Sequence, residues 1–119
     1  MGIAFVVLTI LIGIEHIGIM LAEMLASPKK QAEIFGLNES YTKQKEARIS
    51  FANQGIYNGM LGLSLIGSQW LFTGINAIMV GRLLLVFVAV VGLYGALTVS
   101  KKIWFVQFLP AVIALILSI

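Results

Sequence analysis

Three ionisable side chains lie inside an otherwise apolar segment at the beginning of this sequence. As a helix, residues 3–26 are long enough to cross a bilayer core of about 30 Å, yet they include Glu15, His16 and Glu23. Ionisable groups at that depth are costly in hydrocarbon, so they usually face a bundle interior or a watery cavity. The segment has no basic beginning and is too long for a signal peptide, so we expect a retained helix.

The composition indicates a protein whose solvent is mostly lipid. Hydrophobic residues make up 60% of the 119 residues and charged residues 11%, against roughly 25% charged residues in a soluble domain. The absence of cysteine excludes disulfides, thiolate catalysis and cysteine-based metal sites. The net charge of +3 comes from the polar loops, so it indicates membrane orientation and no binding to nucleic acid.

The apolar segments predict one all-α domain, a bundle of four transmembrane helices with antiparallel neighbours. The four spans are expected at residues 3–26, 49–66, 82–100 and 103–119. Pro28 ends the first helix, because proline cannot continue the hydrogen-bond ladder. The second helix is expected to begin near Tyr41, with Asn38 or Ser40 as its cap. Pro110 is expected to kink the fourth helix.

The basic residues predict which loops face the cytoplasm. Five of them lie within residues 27–48 and two at positions 101 and 102, whereas Arg82 alone lies near the second loop. The positive-inside rule then places loops 27–48 and 100–103 in the cytoplasm and both termini outside.

Polar residues on all four predicted helices lie at similar depths in the cytoplasmic half. His16 and Glu23 are seven residues apart and therefore share a helix face. We expect Glu23 to reach Asn53 or Gln54, and the outer half to be almost entirely aliphatic. The candidate ligand-binding residues are Glu15, His16, Glu23, Asn53, Gln54, Tyr57, Asn58, Tyr94, Thr98 and Gln107.

The deepest of these residues predict the shape of the site. We expect His16, with Glu15 beside it, to form the floor of a single cleft that opens to the cytoplasm. Tyr57 and Asn58 would lie along its wall, because the second helix offers them at a matching depth.

Some of these residues also have a purely structural interpretation. Asparagine, glutamine, tyrosine and threonine often hold membrane helices together, at about 0.6 kcal/mol per hydrogen bond. This explains Thr98 and Gln107 more simply than ligand binding does. The small-residue pairs Gly55/Gly59 and Gly92/Ala96 are typical of helix packing, and a homodimer through one of these faces is a further expectation.

Several of these residues fall in runs that resemble the DUF1304 family of small bacterial and fungal membrane proteins. The runs are Glu15-His16 with Glu23, residues 52–59, Tyr94-Gly95-Ala96 with residues 99–102, and residues 106–111. The resemblance covers nearly the whole chain, and the Asn-Gln-Gly-x-Tyr-Asn-Gly run is distinctive. It implies a four-helix membrane protein whose polar residues form a common site, and it implies no activity.

Three classes of function remain open from the sequence. The first is the binding or transport of a small amphipathic molecule or ion. The second is a membrane enzyme in which His16 and a carboxyl act as an acid–base pair and Tyr57 or Tyr94 positions a lipid-like substrate. The third is a metal site at Glu15, His16 and Glu23, which offer suitable nitrogen and oxygen donors. No sequence motif identifies a cofactor.

Overall fold

Helices account for nearly all of residues 2–119, the part of the chain that the computed structural model describes. In chain order the helices are α1 (Ile3–Leu25), α2 (Pro28–Phe35), α3 (Glu39–Thr42), α4 (Lys45–Leu71), α5 (Gly74–Thr98) and α6 (Leu109–Leu117), with a short π-helix, Trp104–Phe108, leading directly into α6. Residues 2–119 contain no β-strand. The all-α fold predicted from the sequence is therefore confirmed.

The long helices pack side by side around one apolar core. α1 and α4 make the most extensive contact, α5 packs against α4 and α6, and α6 also contacts α1. All four contribute to a core in which each member is at least nine-tenths buried. Its members are Phe5, Ile12, Leu65, Leu85, Val88, Ala89, Ala111 and Ala114.

Glycines allow α1 and α4 to approach closely. A Cβ atom added at Gly13 would lie 2.8 Å from the carbonyl oxygen of Gly62, and one added at Gly55 would lie 2.7 Å from Cγ of Met24. Gly59 faces Met20 in the same interface. Residues early in α1 therefore meet residues late in α4, so the two helices run antiparallel, and small residues at these positions bring the backbones together.

Two helices are long and apolar enough to cross a membrane. They are Ile3–Leu25 and Gly74–Thr98, with mean hydropathies of 2.3 and 2.4. α4 is longer, at 27 residues, but its polar residues lower its hydropathy. The apolar stretch Trp104–Leu117 is shorter than either helix. By length and composition, the structure thus gives weak support for a membrane protein.

The turn between α4 and α5 is shorter than the sequence suggests. α4 continues to Leu71 and α5 begins at Gly74, eight residues before the predicted start of the third span. Gly74 has a φ of 57°, a left-handed conformation that glycine adopts without a steric penalty. This allows the chain to reverse direction through Phe72 and Thr73, so the mildly apolar residues on both sides remain helical.

The polar segment 27–44 folds back onto the ends of α1 and α4. The Ser27 side chain accepts a hydrogen bond from the backbone N–H of Lys30 and begins α2. Gln31 is buried, and its Nε2 donates to the carbonyl oxygens of Ala22 at 3.2 Å and Glu23 at 3.0 Å. Both carbonyls lie in the last turn of α1, and that of Ala22 also accepts from the backbone N–H of Ala26. Gln31 therefore acts as a cap for that helix.

A second set of contacts fixes the other end of this segment. Phe35 stacks on Phe51 with ring centroids 5.8 Å apart, and Tyr41 meets the same ring edge-on at 6.2 Å. The buried Thr42 hydroxyl donates to the carbonyl oxygen of Pro28 at 2.7 Å. The helix predicted to begin near Tyr41 therefore stops at Thr42, because that hydroxyl holds the chain in a turn, and α4 begins afresh at Lys45.

The irregularity expected at Pro110 takes the form of the π-helix. The N–H of Leu109 donates to the carbonyl oxygen of Trp104, five residues earlier. Proline lacks an N–H group, so the turn before it loses one ladder hydrogen bond. A local π-helix accommodates this loss without ending the helical segment.

Candidate functional site

Three buried polar residues follow the interior face of α1 at intervals of seven. Thr9 and His16 are completely buried, and Glu23 is 3% exposed. Seven residues are nearly two helical turns, or about 10.5 Å of rise. The sequence analysis predicted two members of this stripe and missed Thr9, because small residues such as threonine often serve only to pack helices together. Its spacing of seven from His16 was the signal that could have found it.

The Glu23 carboxylate is bound by Asn58. Asn58 Nδ2 donates to Glu23 Oε1 at 2.6 Å, which joins the buried Glu23 on α1 to the partly buried Asn58 on α4. The expected partners, Asn53 and Gln54, are exposed instead. The direction of the side chains around α4 explains this difference. The face of α4 that meets α1 carries Gly55, and Asn58 lies on the same face three residues later.

The His16 ring has one bonded and one unbonded nitrogen. Nδ1 lies 2.8 Å from the carbonyl oxygen of Ile12, one turn earlier in α1. A carbonyl oxygen only accepts hydrogen bonds, so this contact assigns the proton to Nδ1. In the neutral ring, Nε2 is then an acceptor. It is buried and has no hydrogen-bond partner among residues 2–119.

Two more buried polar atoms on α1 lack a partner, as His16 Nε2 does. Glu15 is partly buried, and its Oε1 atom is inaccessible and unbonded among residues 2–119, as is the Thr9 hydroxyl. Buried polar atoms in folded proteins almost always have a partner, either protein or ordered water. These three atoms therefore mark positions where water or a ligand would complete the hydrogen bonding.

Several predicted site residues lie away from this stripe. Tyr57 and Tyr94 are each 71% exposed, and the Thr98 hydroxyl donates to the carbonyl oxygen of Tyr94 on its own helix. Gln107 is partly buried and lies next to Gly92 on α5. The structure does not bring these residues to His16, and the expected Tyr57 wall is absent, because Tyr57 is two residues from Gly55 and points away from α1.

Two open grooves lie outside the stripe. One, of about 430 Å³, runs between α4 and α5 and is lined by residues that include Met60, Ser64 and Leu84. The other, of about 360 Å³, lies between α2 and α3 beside Lys29 and Glu33. Neither is lined by a residue of the stripe.

The geometry is unfavourable for the predicted metal site. Within residues 2–119, no group of three or more His, Asp and Glu side chains is close enough to hold a metal ion. Glu23 lies nearly two turns from His16, and its carboxylate already accepts a hydrogen bond from Asn58. Glu15 and His16 alone would provide two ligands.

The far end of the molecule is more polar than expected. Arg82 Nε donates to the Ser118 hydroxyl at 3.0 Å, and Nη2 donates to the Ser118 carbonyl oxygen at 2.5 Å. Ser68 is buried and accepts a hydrogen bond from Gln69. The sequence did not predict these hydrogen bonds at this end of the molecule. A cation beside the last carbonyls of α6 stabilises that helix end.

Together these features define a small all-α protein with a buried polar stripe along its first helix. The chain belongs to the family described as a protein of unknown function (DUF1304), whose family model matches residues 10–119. The match includes every candidate residue predicted from the sequence, and it confirms the resemblance. A relative from Lactococcus lactis subsp. lactis (strain IL1403), described as the uncharacterized protein YpaA, is similar along its length. It is 37% identical over 119 residues, which cover 99% of this chain and 98% of the relative. No solved structure matches the chain.

Proposed function

We propose that the chain is an integral membrane protein in which four helical segments cross the bilayer as one bundle. The segments are α1, α4, α5 and residues 104–117. The supporting observation is the outer surface, where large apolar side chains such as Ile3, Leu83 and Phe105 are more than two-thirds exposed. A water-soluble monomer rarely presents such extensive apolar surface, whereas lipid solvates it. Both termini would then lie outside, with residues 27–48 and 100–103 in the cytoplasm.

Within this bundle, the stripe on α1 would bind the polar group of a small amphipathic molecule. The observation that carries this proposal is the buried, unbonded Nε2 of His16. Neutral His16 offers an acceptor there, and Glu15 beside it offers a second acceptor in its unbonded Oε1 atom. Acceptors on two successive residues favour a ligand that donates hydrogen bonds, such as an ammonium or a hydroxyl group. A proton or a small cation would meet the same need.

Binding is better supported than catalysis or metal chemistry. A His16–carboxylate acid–base pair would need a group to position the substrate, and the two tyrosines considered for that role are largely exposed. The metal hypothesis would need a third ligand near Glu15 and His16, which Glu23 is too distant to supply. Binding coupled to a proton would also allow transport, because Glu and His are common proton carriers within membranes.

The test uses three probes that share one alkyl chain and differ in their polar group. Purified protein is heated in detergent with dodecylamine, dodecanol or dodecanoate, and its unfolding temperature is measured. Dodecylamine and dodecanol should stabilise the protein, and dodecanoate should not, since its carboxylate donates no hydrogen bond.

Variants at the stripe then locate the site. His16→Leu should insert normally but lose the stabilisation by dodecylamine. Glu23→Gln should be milder, because its carboxylate is already bonded to Asn58. Tyr94→Phe is the control and should respond like the wild type. Equal stabilisation by all three probes, or an unchanged response in His16→Leu, would contradict the proposal.

A further inference from the structure

The distinctive run at residues 53–59 is divided between two faces of α4. Gly55, Asn58 and Gly59 meet α1, and the other polar members point away from it. Asn53 and Gln54 are exposed, and Tyr57 is 71% exposed. The inward members of the run thus pack against α1 or bond to it, and the outward members are left without a role.

The outward members belong to a longer stripe along α4. Its members are exposed or partly exposed, and successive members are separated alternately by three and four residues. Spacing of this kind places residues along one seam, the pattern that packs one helix against another in a coiled coil. We call it the α4 seam; its members are Ser50, Asn53, Tyr57, Met60, Ser64, Gly67 and Leu71.

Space for a neighbour exists at the far end of the α4 seam. The open groove of about 430 Å³ is lined by Met60, Ser64, Gly67 and Leu71, which are four seam residues. A Cβ atom added at Gly67 would have its nearest neighbour at 3.8 Å, in the side chain of Leu71. Small residues such as Ser64 and Gly67 allow another helix to approach closely.

We propose that the α4 seam is the interface for α4 of a second copy of this chain. The inference rests on the proposed membrane location, since amides exposed to lipid lack the water that would otherwise bond them. Asn53 carries both donors and acceptors, so it can pair with Asn53 of the other copy across a two-fold axis. Gln54 lies at the border of the seam and can pair in the same way.

The second copy fits the α4 seam for two further reasons. Both copies share one membrane orientation, so a two-fold axis along the membrane normal makes the two α4 helices parallel and brings each seam residue to its own equivalent. The α4 seam carries no charge from Ser50 to Leu71, so no like charges meet. The homodimer faces expected from the sequence, Gly55/Gly59 and Gly92/Ala96, are occupied within the chain.

Disulfide crosslinking in membranes tests this interface directly. Since the chain has no cysteine, single substitutions Asn53→Cys, Tyr57→Cys and Ser64→Cys each introduce one thiol. Oxidation with copper phenanthroline should give covalent dimers with all three. The matched controls are Leu11→Cys and Leu21→Cys, positions on α1 that are 53% and 49% exposed, and they should stay monomeric. Equal crosslinking at the α4 seam and on α1 would overturn the proposal.

A second measurement uses the cysteine-free protein. Single-molecule fluorescence in lipid bilayers should show dimers of the wild type, and Asn53→Leu/Gln54→Leu should dimerise about tenfold more weakly, because a two-fold axis places each lost hydrogen bond at the interface twice. A monomeric wild type would overturn the inference. The α4 seam would then be covered by lipid or by another protein.

Sodium carbonate extraction of the same samples separates this inference from the proposed function. Protein that remains in the membrane but is monomeric contradicts the dimer alone. Protein that carbonate removes contradicts the membrane location, and the dimer with it.

Discussion

At the scale of single residues, the contact between Glu23 and Asn58 most sharply defines the site. The carboxylate of Glu23 accepts from Asn58 at 2.6 Å while its backbone carbonyl accepts from Gln31 at 3.0 Å. One residue thus connects α1 to α4 and to α2. Its side chain is buried, so the loss of either partner leaves a polar group without a replacement from solvent.

Removal of Asn58 should therefore destabilise the protein. We expect Asn58→Leu to lower the free energy of unfolding by about 1–3 kcal/mol, the cost of a buried acceptor left without its donor. Glu23→Met/Asn58→Leu should recover part of this loss, because both polar partners are then removed together. Unfolding in mixed micelles, followed by circular dichroism, measures both variants. A double variant less stable than Asn58→Leu would contradict this account.

At the scale of helices, the close contact between α1 and α4 depends on glycines. A Cβ atom at Gly62 would overlap the carbonyl oxygen of Gly13 and would lie 3.0 Å from the side chain of Ile17. Because the obstacle is backbone, the two helices would have to move apart. The sequence indicated Gly55 and Gly59 as packing glycines, but it gave no sign that Gly62 would pack on Gly13.

Gly62→Ala should separate the two helices. We expect it to destabilise the protein by about 1–3 kcal/mol, as overpacking does. The control is Gly18→Ala on α1, where an added Cβ atom would have nothing within 4 Å and should be neutral or slightly stabilising, since alanine favours helices. Thermal unfolding of the two variants in one detergent gives the comparison. Equal stability of both would show that the backbone contact is unimportant.

The existence of the long helices could be predicted from the sequence, and the direction of their side chains could not. In lipid, the backbone N–H and C=O groups of a long apolar run have to bond to each other. This predicts helices at residues 3–26 and 103–119, and their bounds agree with the structure to within a few residues. The number of residues from a helix end gives the depth of a side chain along the helix axis. It does not give the direction in which the side chain points around that axis. Asn58 and Tyr57 were therefore placed together, although one faces α1 and the other faces away.

Contacts between distant parts of the chain were the least predictable. Gln31 lies in a polar segment and carries no signal that it will be buried at the end of α1. From the sequence, Arg82 indicated only the orientation of the helices in the membrane, whereas in the structure its side chain donates to Ser118. Both partners are set by how the helices pack, which the local pattern does not encode.

At the scale of the whole molecule, the orientation in the bilayer is open to a direct test. Single cysteines at Lys43 and Lys101 should resist a membrane-impermeant maleimide added outside intact cells and react once the cells are opened. A cysteine at Thr73, in the short turn between α4 and α5, should react from outside. Labelling of the Lys43 and Lys101 positions from outside would contradict the proposed topology.

The division of residues 53–59 between two faces also bears on how related sequences should vary. Side chains in contact tend to change together, so residue 58 should covary with residue 23, and residue 59 with residue 20. Residues 53, 54 and 57 are exposed, so their variation should be independent of α1. A run of seven neighbouring residues would then behave, over evolution, as two separate groups with different partners.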